Sequence, residues 1–583
     1  MSDAGFLGVT RSLTGRRWAG PPAELTRRAA QLAQQTGLPD PVAQVLARAG
    51  VSAEAAPAYL EPRLRDLLPD PSDLADMDRA VALLAEHLSA DRPIAVFADY
   101  DVDGAASAAL LHDWLAAVHR PPRIYIPDRI EEGYGPNVAA MTALAADHGL
   151  IVCVDCGTLA YAPITAARAA GAQVIVLDHH LAAPDLPDAV VVNPNRQDAD
   201  GALAHLCAAA VVFLFLVAAN RARRAAGLTV PDPLALLDLV ALATVADVAP
   251  LIGVNRALVR QGLKVMARRG RPGLVALADT AGLDRAPAPY HLGYVLGPRI
   301  NAGGRIGRAD LGARLLTAAD AAAAAPLAEE LERLNGERRA VEAAVKEEAL
   351  AQVAARGVDG PLVWAAGAGW HPGVVGIVAA RLKETFQRPA VVIGLDGNIG
   401  KGSGRSVTGI DLGAAVAQCT GEGLLTAGGG HKMAAGLTVD AAGVEPAMAR
   451  LAGLLARQGA DALGPPALRI DTALRPGAAN VDLLETLDRA GPFGAGAPAP
   501  RFAFAALSVA HTRPVGQGHL ALSFFDGDAK LPAILFGADE TPLGAALRDG
   551  AGRAFHVAGH LERDDWRGRS QVKLRLEDAA PAD

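Results

Sequence analysis

Residues 96–107 read VFADYDVDGAAS, an apolar run that meets three aspartates at alternate positions, Asp99, Asp101 and Asp103, and then Gly104. In an extended chain, side chains at i, i+2 and i+4 share one face, spaced about 7 Å apart. Carboxylates that close repel one another unless something positive sits among them. Two further apolar runs end in acids, IVCV at Asp155 and VIVL at Asp178, and the second continues into His179 and His180. Asp247 lies inside the otherwise apolar LVALATVADVAPL, where a buried carboxylate without a partner is costly. Singly, each feature is ordinary: aspartates after strands cap turns and helices, and a lone acid can pair with an arginine. Jointly they suit divalent cations, since carboxylates with imidazole favour Mn²⁺ and carboxylates with water favour Mg²⁺. Five aspartates and one or two histidines suffice for two ions about 3.5–4 Å apart, the arrangement for in-line displacement at phosphorus.

The elements that must position these groups are short. Between about residues 93 and 195, the runs PIAVFA, PRIYIP, LIVCV, QVIVL and AVVVNP alternate with alanine-rich helical segments. That alternation predicts a parallel α/β sheet covered on both faces, with functional groups gathered beyond the carboxyl ends of the strands. At 583 residues the chain exceeds one core. The predicted parts are an N-terminal helical segment (1–90), a parallel-sheet catalytic domain (91–317), a long charged connector helix (318–357), a smaller α/β domain (358–465) and a C-terminal β-barrel (466–583). The barrel is read from RFAFAALSV, HLALSFF, LPAILF, FHVAGHL and QVKLRL, separated by turn residues.

The net charge of −8 does not advertise nucleic-acid binding, yet a basic groove can be local while metal-binding acids lower the total. Cys153 and Cys156 lie within apolar LIVCVDCG, far from Cys207 and Cys419, which fits buried thiols better than a zinc site. The N-terminus lacks the apolar stretch of a signal peptide. The longest apolar run, Leu206 to Ala219, is 14 residues and suits a buried helix. A cytoplasmic location without membrane contact is expected.

The stretches DYDVDGAAS, VDCG (154–157), LDHH (177–180) and ATVADVAPL (243–251) resemble the four motifs of the DHH phosphoesterase superfamily. The match is closer to its RecJ family, with PDRIEEGYG (127–135), NPN (193–195), GPRINAGGRIGRA (297–309), GWHPGVVGIVAARL (369–382), GSGRS (402–406), GGGHKMAAG (428–436) and GPFGAGAPAPRF (491–502) in order. The resemblance implies a DHH domain, a DHH-associated substrate domain and an OB-fold. It implies an enzyme that degrades single-stranded DNA from the 5′ end to 5′-mononucleotides with Mn²⁺ or Mg²⁺, two ions in all. By residue-level match the metal ligands are Asp99, Asp101, Asp103, Asp155, His179 and Asp247. His180 stands beside the scissile phosphate and Asp178 orients the imidazoles, with Asp155 shared between ligation and catalysis. Phe97 and Ala98 occupy positions where related enzymes place histidine or glycine, which leaves open whether Asp99 ligates directly. Ala497 and Gly303 replace a common asparagine and alanine.

A phosphodiester strand needs cations and backbone donors along its track. Arg129, Arg299, Asn301 and Arg305 are candidates in motif-like stretches, and for Arg299 and Arg305 a glycine-rich setting lets backbone approach a ligand. Ser403, Arg405, Ser406 and His431 are candidates in the second half, where GNIGKGS fails the Walker A spacing and reads as a phosphate cradle without ATP. By resemblance, Arg405 and His431 grip the terminal nucleotide. Trp370 and His371 either stack on a base or pack. In the barrel, Trp566 beside Arg567 and Arg569 is the preferred stacking residue over Phe524 and Phe536. Alternatives are a DHH phosphodiesterase of short oligonucleotides or cyclic dinucleotides and a catalytically silent DHH-like scaffold. Single-strand-binding protein and a helicase are the expected protein partners.

Overall fold

The computed structural model describes residues 5–582, except 129–131, 134, 463, 465, 540, 567 and 568 and the side chains of Asp565, Trp566 and Arg569. The first sheet has five parallel strands: β1 Ile94–Ala98, β2 Arg123–Tyr125, β3 Leu150–Val154, β4 Gln173–Leu177 and β5 Val190–Val192, in the order 2-1-3-4-5. Every residue of β1 and β3 is buried, as a sheet covered on both faces requires. One face packs Val96, Val152 and Ile175 against helices Met77–Ser89, Val102–Ala117 and Ala208–Ala225. The other packs Phe97, Ile151, Cys153 and Val176 against Met141, Leu144 and Ile164. All four cysteines are buried free thiols.

The connector is one helix, Ala321–Arg356, of 36 residues and about 54 Å. Its first half buries Ala324, Ala328, Leu331 and Leu334 in the first domain's core, and its second half buries Val345, Ala349 and Val353 against the second sheet. It therefore belongs to two cores and ties them together. The second sheet comprises β6 Val363–Ala368, β7 Ala390–Asp396, β8 Ile399–Arg405, β9 Ala427–His431 and β10 Ala434–Asp440, in the order 9-10-8-7-6. Only its β6–β7 pair is parallel.

The barrel closes five strands, Phe502–Val515, His519–Asp526, Ala529–Leu535, Ala554–Trp566 and Arg569–Pro581, because the first pairs with both the second and the fourth. Among the described residues, those before residue 91 form no core of their own. Leu32, Val42, Leu46 and Leu60 join the barrel core, whereas Met77 and Leu84 join that of the first sheet. Strand Arg17–Ala19 pairs with Ala467–Arg469, and the buried Trp18 indole N–H donates to Asp578 Oδ2 at 2.9 Å. Among the described residues, no helix is long and apolar enough to cross a membrane.

Trp18→Phe keeps an aromatic side chain but removes the indole N–H from which Asp578 Oδ2 accepts. It should cost about 1–3 kcal/mol, read as a lower urea midpoint in equilibrium unfolding followed by fluorescence.

Candidate metal centre and active site

The strand register builds the site. Ala98 pairs with Val154, Val154 with Leu177 and Leu177 with Val192. The residues that follow, Asp99, Asp155, Asp178 and Asn193, therefore stand level on four neighbouring strands, about 4.8 Å from one to the next. The strand order reverses between β1 and β3, so Asp99 and Asp155 flank the crevice where open α/β sheets take their ligands. Asp155 itself has φ 58°, a left-handed conformation that bends the chain sharply off the strand end.

Chain turns bring in the rest. A Cβ on Gly104 would lie 2.3 Å from Asp99 O, so only glycine lets helix Val102–Ala117 start this close to β1. Asp101 caps that helix, with Oδ1 accepting from Asp103 N at 2.9 Å and Gly104 N at 3.1 Å. Asp103 is buried, and its two oxygens accept from Ala208 N at 2.7 Å and Ala209 N at 2.8 Å. Those amides are the N-terminus of helix Ala208–Ala225, a favourable seat for negative charge. Asp247 follows helix Leu237–Ala246, and the loop beyond it is tied to the segment leading into the barrel by Leu251 N donating to Ala495 O at 2.7 Å.

His179 stands in the middle. Its Nε2 lies 3.3 Å from Asp155 Oδ1, 3.8 Å from Asp103 Oδ2 and 3.9 Å from Asp247 Oδ2. Three donor sets each have their atoms within 4.8 Å of one another: Asp99, Asp101 and Asp155; Asp103, His179 and Asp247; and Asp155, His179 and His180. Asp155 belongs to two of them. Its buried Oδ1 accepts no hydrogen bond among the described residues, which a cation there would remedy. An all-carboxylate and imidazole set matches Mn²⁺ or Mg²⁺, so the residues fit the ions.

The carboxylates register this crowding. Burial, then the charges of Asp103, Asp101 and Asp99, pushes Asp155 far above the ordinary range. Burial pushes Asp103 up too, against the pull of His179. Burial and the charges of Asp103 and Asp101 raise Asp247 to about 8.

Asp178 plays a different part. Its oxygens accept from Thr158 N (3.1 Å), Thr158 Oγ1 (2.6 Å), His179 N (2.8 Å), His180 N (3.2 Å) and His180 Nδ1 (2.7 Å). Burial works to raise its pKa, but the hydrogen bond and charge of His180, with Thr158, hold it well below the carboxylate range. Burial likewise opposes a charge on His180, yet Asp178 overcomes it and lifts the imidazole to about 9. Asn193 Nδ2 donates to Thr158 Oγ1 and to His180 O, at 2.9 and 2.8 Å, and Asn195 Nδ2 to His179 O at 2.5 Å. These contacts fix the turn that carries both histidines.

Known proteins resemble this chain in sequence and fold. The chain matches the DHH family, N-terminal domain, over residues 93–244, the DHHA1 domain over 352–456 and the RecJ OB domain over 470–578. It is 36% identical to the single-stranded-DNA-specific exonuclease RecJ of Dickeya dadantii, over 90% of this chain and 93% of that protein. The chain belongs to the RecJ family. RecJ of Bacillus subtilis is 31% identical over 94% of this chain and 69% of its own length. The crystal structure of Thermus thermophilus RecJ in complex with Mn²⁺ superposes with a TM-score of 0.79 at 30% identity, covering 97% of this chain and 79% of that one. Its Mg²⁺ complex gives 0.71 at 29% identity, with the same coverage. Family and structural matches agree with the expected DHH, DHH-associated and OB-fold architecture, and with the expected Mn²⁺ or Mg²⁺.

The strand-holding candidates of this RecJ-family chain fall in several places. Asn301 Oδ1 accepts from Val102 N at 3.1 Å, bracing the first motif. Arg299 is paired with Glu332 of the connector and also donates to Val295 O at 2.8 Å. Arg305 Nη1 donates to Gly373 O at 2.9 Å, at the start of helix Pro372–Phe386. Arg405 Nη1 donates to Ser403 Oγ at 3.0 Å, and burial lowers the Arg405 pKa. Ser406 is buried and its hydroxyl donates to Ile410 O at 2.9 Å, whereas His431 ends β9 exposed. Trp370 packs, donating to Glu348 Oε2 at 2.9 Å, and Phe524 lies in the barrel core. Arg129 and the side chain of Trp566 lie outside the described residues. Thr158 and the donor roles of Asn193 and Asn195 were not read from the sequence, although NPN directly after a strand was their signal.

Two predictions follow from the charges. A raised carboxyl pKa means the folded chain holds protons that the unfolded chain releases near pH 4, so the metal-free protein loses stability as pH climbs toward about 8. Mn²⁺ competes with those protons, so its stabilisation in thermal melts should be larger at pH 8.5 than at pH 6. A gain independent of pH would contradict this. In the metal-free protein, Asp178→Asn should drop the His180 pKa from about 9 toward the ordinary histidine value, read by NMR titration of the imidazole.

Proposed function

We propose that this chain is a metal-dependent exonuclease of single-stranded DNA that works from the 5′ end and releases 5′-mononucleotides with two divalent cations, in DNA recombination and repair. The observation that carries the reading is the level row of Asp99, Asp155 and Asp178 joined by Asp101, Asp103, His179 and Asp247 into overlapping donor sets. Its relatives bear the name of single-stranded-DNA-specific exonucleases, which supplies the substrate class. Asp99, Asp101 and Asp155 would hold one ion, and Asp103, His179 and Asp247 the other, with Asp155 at the junction.

Cations held there lower the pKa of water and offset the charge of the phosphate. The chain's own groups do the rest. Asp178 accepts from His180 Nδ1 and favours the protonated ring, whose positive charge would offset that of the phosphate. Water adds to phosphorus as the P–O3′ bond of the terminal nucleotide breaks; the proton the water loses balances the one O3′ takes up, so that nucleotide leaves with a 3′-hydroxyl and the next one carries a 5′-phosphate. Arg305, Ser403, Arg405 and His431 are the proposed holders of the strand, together with Arg129 and Trp566. Asn301, Arg299 and Ser406 are assigned to positioning: Asn301 braces the Val102 amide, Arg299 is paired with the Glu332 carboxylate, and Ser406 is buried on Ile410 O. The cytoplasm is the proposed location, with single-strand-binding protein and a helicase as partners that supply the strand.

A digestion time course with Mn²⁺ on 5′- and 3′-labelled single strands tests the reading. Labelled mononucleotide should appear first from the 5′ label, blunt duplex should resist, and Asp155→Ala and His179→Ala should each lose at least about 100-fold in rate. First release from the 3′ label would overturn the polarity.

A further inference from the structure

Tyr290 and Tyr294 are 57% and 74% exposed, and their rings stack with centroids 5.3 Å apart and planes 23° from parallel. Large aromatic faces left in solvent contribute little to folding and often mark a surface that binds something. Their place in the fold indicates what. They sit on one helical run made of Pro289–His291, a π-helical segment Leu292–Leu296 and Gly297–Ile306. Such π segments inside helices occur frequently at functional sites.

The run touches both ends of the metal centre. A Cβ on Gly293 would stand 3.4 Å from Val245, and one on Gly297 would stand 3.3 Å from Ala246, the two residues before Asp247. Further along, Asn301 accepts from Val102 N, and Gly304 lies so close to Tyr100 that a Cβ would meet its ring at 2.7 Å. Tyr294 is seven residues before Asn301 on this run, and Tyr290 is four residues farther out. Exposed apolar residues also follow site residues in the chain: Val248 follows Asp247, Leu159 follows Thr158 and Leu181 follows His180.

We propose that Tyr290 and Tyr294 form a stacking platform for the bases of the single strand just outside the metal centre. This rests on the exonuclease reading given above. Aromatic stacking holds any base, since every base has a π-face, and that suits an enzyme which must pass each nucleotide in turn. The backbone would then lie toward the cations and the bases toward the tyrosines.

The test uses the full chain carrying Asp155→Ala, so that DNA is bound without being cut, and fluorescence anisotropy of a labelled oligodeoxythymidine. Tyr294→Ala should weaken binding by about 5- to 50-fold, and Tyr294→Phe should bind like the parent, because the ring and not the hydroxyl does the stacking. An abasic strand should weaken the parent by a similar factor but leave the alanine variant nearly unaffected. If the parent binds DNA and the Tyr290→Ala/Tyr294→Ala double variant binds equally well, the platform is wrong while the exonuclease reading stands. If the parent fails to bind single strands at all, both fall.

Discussion

Mutual repulsion among carboxylates is the constraint around which this protein is built. Strand register sets Asp99, Asp155 and Asp178 side by side, and two helix boundaries add Asp101, Asp103 and Asp247. Nothing in a hydrophobic sheet favours such a gathering. The chain meets it locally with dipoles and hydrogen bonds: Asp103 rests on the amides of a helix N-terminus, Asp101 caps a helix, and Asp178 is saturated by Thr158 and the histidine turn. What local donors do not neutralise shows as carboxyl pKa values raised at Asp155, Asp103 and Asp247. Cations among those carboxylates would relieve that repulsion.

The same constraint explains why contacts from three domains converge near the crevice. The helix Gly297–Ile306 braces the first motif through Asn301 and reaches the second domain through Arg305 and Gly373. The segment leading into the barrel holds the loop after Asp247 through Ala495 and Leu251. The connector helix, anchored in two cores, fixes Arg299 through Glu332. Groups that repel need walls that do not yield, and close-packed elements from separate cores supply them.

Much of this was legible in the sequence. Apolar runs ending in aspartate marked the strand ends, and runs alternating with helical segments marked a parallel sheet, because both signals are local. Gly104 was visible as part of a motif, although its reason, the approach to Asp99 O, needed coordinates. Long-range pairings stayed hidden. Arg299 looked available for phosphate, but its partner Glu332 is on another helix, and Asn301 turned out to face backbone from a segment some two hundred residues away. Ser406 sat among glycines that suggest an open loop, yet the turn to Ile410 folds it inward. Tyr290 and Tyr294 carried no motif at all; only their shared exposure, on a run packed against the helix that leads to Asp247, sets them apart.

The central claim is that these side chains hold a pair of cations. Crystals of the full chain grown with Mn²⁺ and measured at the manganese absorption edge test it directly. The account predicts two anomalous peaks about 3.5–4 Å apart, both within coordination distance of Asp155, with Asp101 and His179 on opposite sides. A single peak, or manganese bound away from Asp155, would contradict it.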